Sequence, residues 1–140
     1  MKGGFTLVEL LVVIAIIALL STLSVVALNS ARTKARDARR LSDIRQIRTA
    51  LEMYFDSNMA YPDPTASTTL GTGTMACLTS TGWTTTAGCT GTIFMQKVPT
   101  DPIPGTYSYT YNVGVSNDTY TIAYNLENGG PKTATPYSME

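Results

Sequence analysis

The chain contains no histidine and only two cysteines, which excludes several kinds of functional site. Without an imidazole there is no histidine general base, no histidine-ligated metal and no Ser/His/Asp triad. Two cysteines alone cannot supply the four ligands of a tetrahedral zinc site. Charged residues are also scarce, at 14% of the 140 residues against a typical value of about 25%. We therefore expect neither an enzyme nor a cofactor.

The few charges are distributed unevenly along the chain. Residues 5–28 contain one charged residue, Glu9, whereas all six arginines lie between Arg32 and Arg48. From Asn58 onward the chain is rich in Thr, Gly, Ser and Tyr. This pattern predicts three regions: an apolar helix at 5–28, an amphipathic continuation at 29–57 and a β-rich head at 58–140.

The apolar segment is long enough to cross a bilayer. As a helix, 24 residues span about 36 Å, against a hydrocarbon core of about 30 Å. A secretory signal peptide with a small-residue cleavage site near Ser21, Thr22 and Ser24 is one alternative, and a plain membrane anchor is another. Neither explains Glu9, because a charged residue inside an apolar span is costly and usually marks a function.

The residues around Glu9 form a specific pattern, in which Gly3-Gly4 is followed by Phe5-Thr6-Leu7-Val8-Glu9-Leu10-Leu11 and an unbroken apolar run. The pattern resembles the class III signal of type IV pilins and of the pseudopilins of type II secretion systems. The resemblance implies that residues 1–4 are a leader peptide, cleaved after Gly4 by a prepilin peptidase, and that Phe5 is N-methylated. It also implies an ion pair between Glu9 and the Phe5 amine of a neighbouring subunit. It covers residues 3–62 closely and residues 97–127 more loosely.

The physical role expected of Glu9 is to set the register between subunits. A buried ion pair adds little net stability, but leaving one member unpaired costs about 3–5 kcal/mol. Lys2 is another candidate partner for Glu9. Pairing of Phe5 with Glu9 inside one chain is the intramolecular alternative, since the two residues lie one helical turn apart.

One departure from the family concerns helix flexibility. Many relatives have glycine and proline at the positions of Ala18 and Val26, and both residue types destabilise a helix interior. If the helices of relatives loosen there on assembly, this helix should loosen less.

A second helical pattern follows Asn29, and we predict one continuous helix from Phe5 to Asp56. Its apolar residues recur at the three-four spacing of an amphipathic helix: Ala38, Leu41, Ile44, Ile47, Leu51 and Tyr54/Phe55. Five basic residues precede or interrupt this stripe: Arg32, Lys34, Arg36, Arg39 and Arg40. They indicate a solvated face or intersubunit salt bridges, with nucleic-acid binding as the weaker alternative. Placing them outside the cell conflicts with the positive-inside rule.

Two segments of the head alternate between apolar and polar residues with a period of two. These segments, Tyr107 to Val113 and Tyr120 to Leu126, predict an antiparallel hairpin connected by Gly114 to Asp118. The aromatic face should pack on the helix stripe, although an exposed adhesive tyrosine surface is an alternative. The predicted fold is α+β: a long N-terminal helix whose apolar half protrudes and whose amphipathic half packs against a small antiparallel sheet.

The remaining candidate sites lie in the head. Cys77 and Cys89 are expected to form a disulfide that closes the loop 77–89 and stabilises it by about 3 kcal/mol. Asp118 and Glu127, with the carbonyls of residues 128–130, are the only oxygen ligands in view for calcium, which takes six to eight. Asn117 begins a glycosylation sequon, Asn-Asp-Thr.

These features predict a structural pilin of a type IV pilus-like filament, serving adhesion, surface motility or DNA uptake. A type II secretion pseudopilin is the alternative, and a monomeric membrane-anchored binding module is the second alternative. The expected partners are further copies of the chain, prepilin peptidase, an inner-membrane assembly platform and membrane lipid. The precursor should lie in the inner membrane with its C-terminal head outside, before it joins an extracellular filament.

Overall fold

The structure is a computed structural model that describes residues 4–64 and 68–136. The chain divides into two compact units, residues 1–35 and residues 36–140. One helix, α1 (Leu7–Asn58), contributes to both units. The described strands, all in the second unit, are β1 (Cys77–Thr79), β2 (Gly82–Thr84), β3 (Ile93–Met95), β4 (Thr110–Val113), β5 (Tyr120–Leu126) and β6 (Gly130–Ala134). The α+β class is confirmed.

Helix α1 matches the predicted continuous helix to within two residues at each end. The sequence has no glycine or proline between Gly4 and Pro62, so nothing in its interior removes a backbone hydrogen bond. The helix ends where Met59 adopts the left-handed conformation with φ of 56° and its N–H donates to the Phe55 carbonyl at 2.7 Å.

The predicted hairpin is present and forms two of the three strands of the first sheet, whose order is β4-β5-β6. Residues Tyr111 and Ile122 lie opposite each other in the antiparallel β4–β5 pair. Strand β4 begins at Thr110 rather than at the predicted Tyr107, and β6 was not predicted. Pro131 and Lys132 give β6 no regular alternation of apolar residues, which explains why the pattern missed it.

A second antiparallel sheet, of order β2-β1-β3, lies in a stretch for which the sequence predicted no strand. Each of its strands is three residues long, which is too short to show a period. The predicted small antiparallel sheet is therefore accompanied by a second one that the sequence did not indicate.

The core of the second unit combines tyrosines in and next to the first sheet with apolar residues of α1, of the second sheet and of the connecting segments. On the helix, Ile44, Ile47 and Leu51 are almost fully buried. The tyrosine row packs inward, so the alternative of an exposed tyrosine surface is wrong for Tyr109, Tyr111, Tyr120 and Tyr124. Buried tyrosine hydroxyls need hydrogen-bond partners. The Tyr111 hydroxyl donates to the Pro62 carbonyl at 2.9 Å, and the Tyr109 hydroxyl donates to Asp43 Oδ2 at 3.1 Å.

Candidate functional site

The start of α1 is fixed by reciprocal hydrogen bonds between Thr6 and Glu9. The Thr6 backbone N–H and hydroxyl donate to Glu9 Oε2 at 2.8 and 2.6 Å. The Glu9 N–H points back to the Thr6 hydroxyl oxygen at 3.3 Å. This arrangement is a capping box, whose Thr-x-x-Glu signature is visible in the sequence but was missed there. It satisfies the first N–H groups of the helix before any partner chain is involved.

No described residue forms an ion pair with Glu9, and Lys2, its predicted alternative partner, lies outside the described residues. The Phe5 nitrogen follows Gly4 in the unprocessed chain and is therefore a peptide nitrogen. Pairing between Phe5 and Glu9, within one chain or between chains, requires cleavage after Gly4 to create the amine.

The apolar part of α1 is exposed along its whole length. Every residue from Gly4 to Arg32 is exposed, with Phe5 at 88% and Val26 at 70%. Among the described helices α1 alone contains an 18-residue window apolar enough to cross a membrane, with a mean hydropathy of 2.9 and none of it buried. In water so large an apolar surface is unfavourable, so it needs lipid or other apolar helices around it.

Besides Thr6, three hydroxyl side chains lie within the apolar segment, and each is satisfied by its own helix. Ser21 and Ser24 donate to the carbonyls of Ile17 and Leu20, at 2.7 and 2.8 Å. Thr22 donates to the Leu19 carbonyl at 2.8 Å. Because these polar groups already have partners, they add little to the cost of surrounding the helix with hydrocarbon.

The second unit contains a buried ion-pair cluster, the Arg40 cluster, formed by Arg36, Asp37, Arg40, Asp101 and Glu127. The Arg40 side chain is fully buried. Its Nε and Nη2 donate to the two Asp101 oxygens at 2.7 and 3.0 Å, in bidentate geometry. Its Nη1 donates to Asp37 Oδ1 and Glu127 Oε1, at 2.9 and 2.8 Å. One guanidinium thus connects α1 with the loop before β4 and the turn after β5.

The same cluster fixes the turn between β5 and β6. Arg36 Nε and Nη2 donate to the two Glu127 carboxylate oxygens at 2.7 and 2.6 Å. The backbone N–H groups of Glu127 and Asn128 donate to the Asp37 carboxylate at 2.9 and 3.1 Å. Nothing in the sequence indicated Asp101 as a partner of Arg40, because 61 residues separate the two. The pairing of Arg40 with Asp37, only three residues away, was not predicted either.

These contacts shift the pKa values of the acidic residues in the cluster. Hydrogen bonds from Arg36 and Arg40 lower the pKa of Glu127 to about 2. Burial alone would raise the pKa of Asp37, but hydrogen bonds from the backbone of the turn and from Arg40 outweigh burial and lower it. Both carboxylates are therefore charged at neutral pH and hold the turn through charge-assisted hydrogen bonds.

Asp43 and Tyr109 form a separate buried pair beside the Arg40 cluster. Burial raises the pKa of Asp43, against the opposing hydrogen bond from the Tyr109 hydroxyl and the charge of Arg39. Burial, with the nearby Asp43 carboxylate, also raises the pKa of Tyr109. The tyrosine therefore remains the proton donor of this pair over the whole physiological range.

The five basic residues singled out in the sequence do not act as one surface. Arg36 and Arg40 are neutralised inside the Arg40 cluster. Arg39 is 66% exposed, with an Asp43 oxygen at 4.0 Å, and Arg32 and Lys34 are exposed in the first unit. Two of the five charges that a nucleic-acid face would need are thus used within the fold, which weakens that interpretation.

The remaining candidates lie in separate places. Cys77 and Cys89 are joined by a disulfide, with Cα atoms 5.8 Å apart. Asp118 lies before β5 and Glu127 after it, at opposite ends of the strand, so the structure does not bring the calcium candidates together. Across residues 4–64 and 68–136 no group of three or more His, Cys, Asp or Glu side chains is placed to hold a metal ion. Asn117 has φ of 54° and accepts a hydrogen bond from a backbone N–H through its carbonyl.

Comparison with known proteins identifies the N-terminal segment. Residues 1–25 match the family model of the prokaryotic N-terminal methylation motif. No match was found among curated proteins or among solved structures. The matched residues include Gly4, Phe5 and Glu9 and continue into the exposed apolar part of α1. The chain therefore carries the class III signal of type IV pilins at its N-terminus, continued by one long apolar helix.

Proposed function

We propose that the protein is a structural subunit of a type IV pilus-like filament. The observation that carries the proposal is the wholly exposed apolar surface of residues 5–28, most of which lies within the matched methylation motif. Burying apolar surface contributes roughly 25 cal/mol per Å², so this helix requires an apolar environment. Inner-membrane lipid supplies that environment to the precursor, and neighbouring copies of the helix supply it in the filament.

Processing prepares the helix for assembly in this proposal. Prepilin peptidase cleaves after Gly4, and the new Phe5 amine is methylated. The amine then pairs with Glu9 of a neighbouring subunit. Removing either member would leave a charge unpaired in low dielectric, so the pair selects one register among the many that a uniform apolar surface allows. No covalent chemistry by the subunit itself is needed, and we propose no enzymatic activity.

Two features of the second unit support a pilin over a pseudopilin of a type II secretion system. A disulfide joins β1 to the segment before β3 and cross-links the second sheet. Such disulfides are typical of proteins that function outside the cell. Glu127, one of the two calcium candidates, already accepts hydrogen bonds from two arginines. The guanidinium groups of Arg36 and Arg40 thus connect that turn to α1, which is the role that a calcium ion would otherwise have. Adhesion, surface motility and DNA uptake are the tasks that we propose for the filament.

The decisive experiment separates the charge of Glu9 from its capping role. Glu9→Gln retains an amide that can complete the capping box with Thr6, whereas Glu9→Leu removes both the cap and the charge. We expect both variants to enter the membrane and neither to form filaments, as judged by shearing and electron microscopy. Thr22→Val, a matched control that removes another polar group of the same segment, should assemble normally.

The alternatives give different results in the same experiment. A monomeric anchored module would give no sheared filaments even from the natural chain. If Glu9→Gln assembles as well as the natural chain, the capping box is what assembly requires and the ion-pair role is wrong. Mass spectrometry of sheared material should show chains beginning at a methylated Phe5, and an intact Met1 on filament-borne chains would refute processing at Gly4.

A further inference from the structure

A pocket of about 370 Å³ opens in the second unit beside the last turn of α1. Its lining includes Tyr54, Asn58, Asp63, Thr81, Trp83 and Asn117. They come from the end of the helix, the segment after it, the β1–β2 turn, strand β2 and the β4–β5 turn. The volume falls within the range of about 300–1,000 Å³ that small-molecule sites occupy.

The walls of this pocket are held by contacts made without a ligand. Asn58 Nδ2 donates to the Tyr54 carbonyl at 3.0 Å, which fixes the amide beside the helix end. The Tyr61 N–H donates to the Asn117 carbonyl at 2.7 Å and ties the β4–β5 turn to the segment after the helix. Gly82 has φ of 107°, which favours glycine, and a Cβ there would lie 3.9 Å from the Tyr54 hydroxyl. The pocket is therefore largely preformed, which reduces the entropy cost of binding.

The chemistry of the lining combines aromatic carbon with open polar groups. In the part of the chain that the structure describes, the Tyr54 hydroxyl and the Asp63 carboxylate make no hydrogen bond, whereas Trp83 Nε1 is fully buried and out of reach of a ligand. Burial, together with the nearby Asp63 charge, raises the pKa of the Tyr54 phenol, which therefore stays a donor. The described lining includes no lysine or arginine.

We propose that this pocket binds a neutral saccharide. A sugar hydroxyl both donates and accepts hydrogen bonds, and the Tyr54 hydroxyl and the Asp63 carboxylate offer one donor and one acceptor group. The half-buried Tyr54 ring offers apolar surface for the C–H groups of a sugar ring, and Trp83, which is 6% exposed, adds a small part of the wall. The Asp63 charge and the absence of a described cation in the lining disfavour phosphate and other anions. The proposal adds a ligand class to the filament subunit and does not depend on polymerisation.

The test uses the full chain in a zwitterionic amine-oxide detergent, which has no sugar headgroup. Trp83 is the only tryptophan of the chain, so its emission reports on this pocket. Methyl glycosides of glucose, galactose and mannose, and N-acetylglucosamine, are titrated separately, with choline chloride and inorganic phosphate as cationic and anionic comparisons. We expect at least one sugar to give a saturable change in emission at roughly millimolar concentration, and neither ion to do so.

Two conservative variants connect the signal to the proposed groups. Tyr54→Phe keeps the ring and removes the hydroxyl, and Asp63→Asn keeps the shape and removes the charge. Each should raise the half-saturating sugar concentration about tenfold. Asp56→Asn is the matched control, because Asp56 is exposed on α1 and does not line the pocket.

Three outcomes would overturn the proposal. The first is that no sugar gives a saturable signal, although the emission spectrum shows a folded chain. The second is saturable binding of choline or phosphate in place of sugars. The third is sugar binding that Tyr54→Phe and Asp63→Asn leave unchanged, which would place the sugar elsewhere. Loss of filaments by the Glu9 variants would affect none of these readouts, so the two proposals fail separately.

Discussion

Replacing Arg40 by methionine tests whether the Arg40 cluster stabilises the second unit. Methionine keeps much of the apolar stem but leaves the carboxylates of Asp37, Asp101 and Glu127 without the guanidinium that joins them. Glu127 still has Arg36 as a partner. The Asp101 carboxylate, in contrast, loses its cation and cannot be solvated unless the loop opens, because its side chain is only 1% exposed. The loss should therefore come mainly from one buried, unpaired carboxylate.

The expected magnitude follows from the burial of that pair. Removing one member of a buried ion pair costs about 3–5 kcal/mol. With a urea dependence of about 2 kcal/mol per molar for a domain of this size, the midpoint of unfolding should fall by about 2 M. The matched control, Arg39→Met, removes a side chain that is 66% exposed and 4.0 Å from its nearest carboxylate, so its cost should be below about 0.5 kcal/mol.

The assay is urea unfolding of the full chain in detergent micelles, followed by the emission of Trp83. A double variant, Arg40→Met with Asp101→Leu, should recover part of the lost stability, because it removes the stranded carboxylate together with the cation. If Arg40→Met costs less than 1 kcal/mol, or if the double variant is no more stable than the single one, the cluster does not have the structural role inferred here.

Two further predictions concern the second unit. Its free energy of unfolding should fall as the pH is lowered from about 5 to about 2. The pKa values of Asp37 and Glu127 are lower in the folded state than in the unfolded state, so both carboxylates stabilise the fold fully above their unfolded-state pKa values. This stabilisation is lost as the pH falls through their folded-state pKa values. Asp43, whose pKa is raised, works in the opposite direction. Glu127→Gln should make the urea midpoint depend less steeply on pH in this range. An unchanged slope would contradict the assignment of this pH dependence to Glu127. Replacing Cys77 and Cys89 together by alanine should cost about 3 kcal/mol, since their sequence separation is 12; an unaltered thermal midpoint under non-reducing conditions would show that the disulfide adds nothing.

The features that the sequence predicted are those set by local physics. The absence of glycine and proline over more than fifty residues leaves helix as the consistent choice for α1. The alternation from Tyr120 to Leu126 predicts a strand because one face of a sheet is buried and the other is not. The methylation motif could likewise be found from a short run of adjacent residues. Each of these signals is contained within one segment of the chain.

The features that were missed depend on residues far apart in the chain. Arg40 belongs to a basic cluster in the sequence and was assigned to a solvated face or to intersubunit pairs. Its burial becomes visible only when Asp101 and Glu127, 61 and 87 residues away, are brought beside it. The sequence likewise gives no signal for strands β1 to β3, since a strand of three residues cannot show a period. Their pairing is fixed by packing and by the disulfide.

The capping box and the proposed intersubunit ion pair are compatible because they use different parts of the Glu9 carboxylate. Both hydrogen bonds from Thr6 reach Oε2, and no hydrogen bond within the described residues reaches Oε1. A carboxylate can accept about four hydrogen bonds, so the cap leaves room for an amine. The positive end of the helix dipole further favours a negative charge in this first turn. Thr6 can thus orient the side chain, but only a cation can compensate its charge. In the proposed filament, the cap presents Glu9 to a neighbouring subunit, and the ion pair with that subunit makes one register better than the others.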